Sequence, residues 1–394
     1  MKQLPSLTSG FHTLPKQKLN KEVWCVNISI GILAHNEAVS ISTTLQSLFQ
    51  QSLFNEPDPH KVIEVVVVPN GCTDETAEVS RTTLEALVKR SPHPNIRWRI
   101  CEVEQPGKTN AWNLYVHEFS DPAADYLFLM DADIQFIELH TLRHMLDTLE
   151  VNPDAWVSVD APIKDVALKE NKSLVERLSA SASASVSAAS GSVAVICGQL
   201  YCGRAIVLRG IWMPPGLQVE DGFIRAMVVT DRFTSPEVFE RVVLAKSASH
   251  AFEAYTDLNR LLRHERWLVV GSTINSFIFN YLWANCNREL DAGSLIKQRN
   301  DQDPFWLHQF IQAAISGKGW WLIPQPFLFR RFQRLRQYPP LKLILRFPVA
   351  VIAFLVDLLV FFQANQELHR GGGMGYWGKP QGATTTVLQK ELSS

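Results

Sequence analysis

Two apolar runs set the pattern of the first hundred residues. Residues 26–37, VNISIGILAHNE, form a β-rich run that breaks at His35-Asn36-Glu37. Residues 61–76, KVIEVVVVPNGCTDET, repeat the design with a Val-rich run and a Pro-Asn-Gly turn. Helical spacing follows each: Ile41, Leu45, Leu48 and Phe49 after the first, and a helix from about Thr73 to Val88 after the second. A weaker strand is expected over 97–104, RWRICEVE, and LFLMDADIQF (127–136) supplies another. Near-continuous apolar strands alternating with helices predict a mostly parallel sheet with helices on both faces. In such nucleotide-binding α/β architectures, ligands sit beyond the carboxyl ends of the strands.

The pattern then changes. Residues 179–192, SASASASVSAASGS, are almost wholly Ser and Ala, compatible with a closely packed helix or a loop near the acceptor side of the cleft. From Glu220 to about Asn285 the sequence reads as helical and aromatic, and 267–283 suits either the core or a membrane. RRFQRLRQYPPLK (330–342) is basic, and LILRFPVAVIAFLVDLLVFFQ (343–363) is apolar. A spanning helix needs about 20 mainly apolar residues. Pro348 to Phe362 is apolar except for Asp357 and falls short of that, and extending it upstream brings in Arg346. A basic flank beside such a helix suits an interfacial or re-entrant segment as well as a single span; a buried core helix is the alternative. The expected organisation is a lead-in (1–25), an α/β domain (26–285), a basic and aromatic extension (286–340), a membrane-associated helix (341–363) and a Gly-rich flexible tail (364–394).

Composition narrows the picture slightly. Lys+Arg and Asp+Glu number 38 and 39, so no global basic field draws nucleic acid. The six cysteines make no CxxC pair and the N-terminal residues contain no apolar signal core, which together predict reduced thiols and a cytoplasmic setting.

The chemistry concentrates where strands end. In Asp131-Ala132-Asp133 the two-residue period of a strand puts both carboxylates on one face. Two carboxylates that close repel unless a cation sits with them, and Mg²⁺ or Mn²⁺ completed by phosphate oxygens would settle the repulsion. Asn36 and Glu37 after the first run, and Asn70 and Asp74 after the second, offer short polar groups to a base and ribose, or serve as turn and capping residues. Lys108 follows a glycine, where it can meet a phosphate or simply be solvated. Glu220-Asp221 precedes GFIRAMVV, so helix-terminal acids are the plainer reading.

Taken in order, these segments resemble the family 2 glycosyltransferases of the GT-A fold. ILAHNE looks like the first-strand signature, PNGCTDET like the second turn with Asn70 where aspartate is usual, and PGKTNAWN (106–113) like the Gly-Lys element. DAD matches the DxD motif, VEDGF (219–223) the Glu-Asp of the acceptor side, and RHERW (263–267) the (Gln/Arg)-x-x-Arg-Trp pattern of membrane-associated members. The resemblance covers about residues 26–270. It implies a GT-A sheet and an enzyme moving a sugar from a nucleotide-diphospho-sugar donor to a sugar, lipid or lipid-linked acceptor, with Mg²⁺ or Mn²⁺. It implies donor contacts from Ala34, Asn36, Glu37, Asn70, Asp74, Lys108, Asp131, Arg266 and Trp267, and metal ligation by Asp131 and Asp133. Asp221 is then the general base of inverting transfer, with Glu220 as its substitute or as an acceptor ligand. Arg266 would hold the leaving diphosphate and Trp267 would stack on a sugar or lipid-linked acceptor; a salt-bridged helix is the alternative. The expected location is the cytoplasmic face of a membrane. A retaining transferase, a sugar-phosphate nucleotidyltransferase and a non-catalytic nucleotide-sugar-binding membrane protein remain open.

Overall fold

Alternation along three central strands decides which side chain faces which layer. In β1 (Val26–Ala34), Ile28, Ile30, Ile32 and Ala34 pack on one side of the sheet, while Leu33 packs on the other. In β4 (Tyr126–Asp131), Tyr126, Phe128 and Met130 join the first side, and Leu127 and Leu129 the second. The computed structural model describes residues 25–165, 194–253, 257–329, 332, 335 and 339–373. The Ser/Ala run at 179–192 therefore lies outside the described residues, as do most of the lead-in and tail.

The main sheet has seven strands in the order β3-β2-β1-β4-β8-β6-β9, with β2 Lys61–Pro69, β3 Ile96–Ile100, β6 Val157–Val159, β8 Leu200–Arg204 and β9 Val242–Leu244. Strands β3, β2, β1 and β4 are parallel neighbours, while β8 runs antiparallel to both β4 and β6. A small three-stranded sheet joins β5 (Gln135–Phe136), β10 (His250–Phe252) and β7 (Ile163–Lys164). Parallel register brings Ala34 opposite Pro69, and Leu33 opposite Asp131, so three strands finish together at one edge.

On one face lie α1 (Ile41–Phe49), the short α2 (Ser52–Asn55), α3 (Thr76–Arg90) and, beyond α4 (Lys108–Leu114) in sequence, α5 (Thr141–Val151). The other face is covered by α4, α6 (Ala205–Leu208), α7 (Glu220–Val229) and α8 (Leu258–Asn285). Outside these pack α9 (Ala292–Gln302), α10 (Trp306–Ser316), α11 (Gln325–Leu328) and the terminal α12 (Pro340–His369). Val269, Val270, Ile274, Phe277, Ile278 and Leu282 of α8 are buried, so 267–283 belongs to the core. The expected unbroken helical stretch from Glu220 to Asn285 is interrupted by β9 and β10. Each is three residues long, too short to display a period of its own.

Gly31 marks a close approach beneath the site. A Cβ there would lie 2.5 Å from the ring of Tyr115, whose hydroxyl bonds Ser29 Oγ at 3.1 Å. Ser29 in turn donates to Glu64 at 2.6 Å. The ring cannot retreat from this buried seat, so Gly31→Ala should cost about 1–3 kcal/mol. A lowered thermal midpoint in calorimetry is the expected result, and an unchanged one would mean that the core yields.

Candidate active site

At the carboxyl edge, three loops are stitched together by side chains. Asn70 is the hub: its Oδ1 accepts the Gly107 N–H at 2.5 Å and its Nδ2 donates to the Gln105 carbonyl at 2.7 Å. Its own N–H donates to the buried Ala34 carbonyl at 2.8 Å, and its carbonyl lies 2.7 Å from His35 Nδ1. An aspartate could not make the Nδ2 bond, which gives a physical reason for asparagine at that position. Asn36, at φ +55°, accepts the Thr73 N–H at 2.7 Å. Glu37 donates its N–H to Thr76 Oγ1 at 2.8 Å, and its carboxylate accepts from Ser40. Asp74 accepts from the Thr76 N–H and the Ala38 N–H, both at 3.1 Å. Burial opposes ionisation of Asp74, but the bonds from Thr76 and Ala38 outweigh it and hold the carboxyl below its usual range. Gly71 sits at φ +58°, and a Cβ there would also lie 2.5 Å from Pro106, so both backbone and space call for glycine. Much of the polarity that the sequence offers to a donor thus builds the rim, with Ala34 and Asn70 fully buried.

Beyond this rim, Lys108 at the start of α4 reaches across the cleft. Its ammonium lies 2.7 Å from Asp131 Oδ1, 2.9 Å from Glu220 Oε1 and 3.3 Å from the Gly198 carbonyl. Asp131 ends β4, and its N–H donates to the Gln199 carbonyl at 2.9 Å. Glu220 opens α7, with Asp221 beside it. Residues far apart in sequence thus share one cation.

Strand β4 stops at Asp131, and Ala132 and Asp133 form a turn. The alternation nevertheless runs on: Ala132 and Ile134 join Tyr126, Phe128 and Met130 in one layer, and Asp131 turns toward Lys108. Ala132 is buried with the opposite layer, and its carbonyl accepts from Thr44 at 2.8 Å.

The acids outnumber the cation, and their protonation reflects it. Burial pushes Asp131 up to about 7 even with Lys108 alongside. Burial would lower the ammonium of Lys108, but the Asp131 and Glu220 carboxylates hold it well above its ordinary value. Asp221 is raised to about 6, first by burial and then by the charge of Glu220, while the Gly222 N–H bond at 2.6 Å works against the shift.

Several neighbours are not announced by the sequence. A Cβ on Gly198 would fall 2.7 Å from Glu220 Oε1 and 3.5 Å from Lys108 Nζ, so this backbone is part of the wall. Behind it, the Trp112 indole donates to Tyr201 Oη at 2.5 Å. His250 is fully buried between Asp160 Oδ2 (2.7 Å) and Gln199 Oε1 (3.3 Å), tying β10 to the segment that carries Gly198. Arg266 instead pairs with Glu367 of α12 at 2.9 Å, and Trp267 stacks on His264 with centroids 5.8 Å apart. These two residues therefore lie on the α8–α12 side, each with a partner other than the Lys108 cluster.

Residues 29–199 match the model of Glycosyl transferase family 2. That segment is thus similar to the family 2 glycosyltransferases. With the parallel sheet and its two helical layers, the match makes the fold the GT-A nucleotide-diphospho-sugar transferase fold. No curated protein matches the chain. Among solved structures, the mannosyltransferase PcManGT from Pyrobaculum calidifontis, in complex with GDP-Man and Mn²⁺, is similar at 17% identity and TM-score 0.49, over 85% of this chain and 88% of that one. Glucosyl-3-phosphoglycerate synthase from Mycobacterium tuberculosis, in complex with Mn²⁺, UDP-glucose and phosphoglyceric acid, is similar at 16% identity and TM-score 0.42, over 63% and 78% of the two chains.

Gly198 gives the Lys108 cluster a sharp test. Gly198→Ala would force the Glu220 carboxylate off Lys108 while leaving the sheet intact. A displacement of about 1 Å at such a site costs on the order of 10²-fold in turnover. Nucleotide release from the donor should fall by that order with thermal stability nearly unchanged, and wild-type turnover would show that the wall has slack.

Proposed function

We propose that the protein transfers a sugar from a nucleotide-diphospho-sugar to an acceptor hydroxyl with inversion, at the cytoplasmic face of a membrane. The acceptor is a sugar, a lipid or a lipid-linked saccharide. The observation that carries this reading is the Lys108 bridge, which joins Asp131 to Glu220 and so sets the donor-side and acceptor-side motifs around one charge.

The donor set suits a hard divalent cation. Asp131 and Asp133 offer carboxylate oxygens, and the raised affinity of buried Asp131 for a proton marks positive charge still lacking. Among the described residues, no group of three or more His, Cys, Asp or Glu side chains is arranged to hold a metal. Diphosphate oxygens and water would complete the shell, as is usual for Mg²⁺. Bound there by Asp131 and Asp133, Mg²⁺ or Mn²⁺ would neutralise the leaving diphosphate.

The protein's own groups divide the remaining work. Lys108 would meet the charge that develops on the departing diphosphate, and two carboxylates fix its position before reaction. Asp221 takes the proton of the acceptor hydroxyl as that oxygen bonds the anomeric carbon. The bond from that carbon to the diphosphate breaks on the opposite side, and the diphosphate leaves with the electron pair. A base with a pKa near 6 is ionised at neutral pH yet basic enough to accept a proton in the transition state. Glu220 is bound to Lys108 and serves to hold it.

Two measurements test the reading. With Mg²⁺ or Mn²⁺ and a panel of nucleotide-sugars, at least one donor should release nucleotide. Asp133→Ala should abolish that release with loss of donor binding; Asp221→Asn should lower transfer by about 10²–10⁴-fold with donor binding kept. Because Asp221 acts deprotonated, kcat/KM should rise with pH through about 6 and then level. The limb should vanish in the residual activity of Asp221→Asn, and its persistence there would assign it to another group.

A further inference from the structure

The terminal helix has two unlike faces. Ala350, Asp357, Val360, Phe361, Ala364, Asn365 and Leu368 are buried, and α8 is its main partner. Asn365 is bolted to the preceding loop: its Oδ1 accepts the Leu322 N–H at 2.8 Å and its Nδ2 donates to the Trp320 carbonyl at 2.9 Å. Glu367 holds Arg266. The opposite face presents Val349, Ile352, Leu355, Leu359 and Phe362, between 45% and 67% exposed, at steps of three and four residues. Trp320, 56% exposed, lies against Phe362 with centroids 5.6 Å apart and extends the patch.

This segment, Arg346–His369, is long and apolar enough to cross a membrane, with a mean hydropathy of 2.3. Its packing argues otherwise. A spanning helix leaves the domain, whereas this one keeps a buried flank, inward-facing Asp357 and, among the described residues, four polar ties to the globular part. The inward position also explains how one acid sits in an apolar run: it faces protein, and the outer face stays apolar. From Phe347 to Phe362 that face is about 22 Å long, enough to lie along an interface and short of the roughly 30 Å hydrocarbon core.

Resting on the membrane reading above, we infer that α12 docks flat on an anionic lipid leaflet as a monotopic anchor. Charge identifies the lipid. From 330 to 346 the sequence carries Arg330, Arg331, Arg334, Arg336, Lys342 and Arg346 and no acid, directly ahead of the exposed face. A polybasic run that in sequence precedes a half-buried apolar helix complements a negatively charged leaflet, each basic residue adding attraction near the surface.

The test uses the full chain with vesicles of phosphatidylcholine alone or mixed with phosphatidylglycerol. Sedimentation should capture the protein on the mixed vesicles, more weakly in high salt and least on phosphatidylcholine. Ile352→Glu combined with Leu359→Glu, both at exposed positions, should reduce capture by about tenfold or more with thermal midpoint and donor turnover unchanged. Alkaline carbonate should release the protein from membranes of cells expressing it. Capture indifferent to lipid charge or to the double variant would overturn the proposal. Retention after carbonate would overturn it in favour of a span, and a vesicle-free dimer abolished by the double variant in favour of a second copy. Failure of docking with donor turnover intact leaves the glycosyltransferase reading standing, while absent turnover with intact docking defeats that reading alone.

Discussion

One ammonium group organises the centre of this protein. Lys108 is nearly buried and carries its charge only because Asp131 and Glu220 meet it at 2.7 and 2.9 Å. The dependence is mutual, because an unpaired carboxylate at either position would bear an uncompensated desolvation cost of several kcal/mol. Three elements therefore have to arrive together: the end of β4, the first turn of α4 and the first turn of α7. The parallel register of β1, β2 and β4 supplies the edge on which they meet, and antiparallel β8 supplies the wall at Gly198.

The loops around this centre are rigid for reasons unrelated to a ligand. Asn70, Asn36 and Asp74 satisfy backbone groups of neighbouring loops that the end of a sheet would otherwise leave without partners. A rim held this way is organised before any donor arrives, which lowers the ordering cost of binding. The features that read as ligand contacts in the sequence and those that read as turn chemistry are consequently the same residues. Both readings predict Asn, Asp and Gly at strand ends, and only the hydrogen-bond partners separate them.

The elements legible in the sequence were those with a strong period or a long apolar run. Strands β1, β2 and β4 and the helices after the first two announce themselves, as do the acidic positions at 131, 133, 220 and 221. Strands β9 and β10 did not, because three residues carry no usable alternation. Gly198 and the His250–Asp160–Gln199 cluster left no local trace: their roles come from contacts across the fold. The partner of Arg266 lies in a different helix, and no spacing rule connects Arg266 to Glu367.

In the proposed reaction, the division of labour between the two acids of α7 follows from the same ammonium. Glu220 and Asp221 are adjacent, both at a helix N-terminus whose dipole favours ionised carboxylates. Glu220 points at Lys108 and pairs with it at 2.9 Å. Asp221 instead accepts its neighbour's N–H, and burial followed by the charge of Glu220 raises its proton affinity. Exchanging the roles would require Lys108 to turn from Glu220 to Asp221, which would also loosen its hold on Asp131. In the proposed reaction, the fixed position of Lys108 would leave Asp221 as the group to take the acceptor's proton.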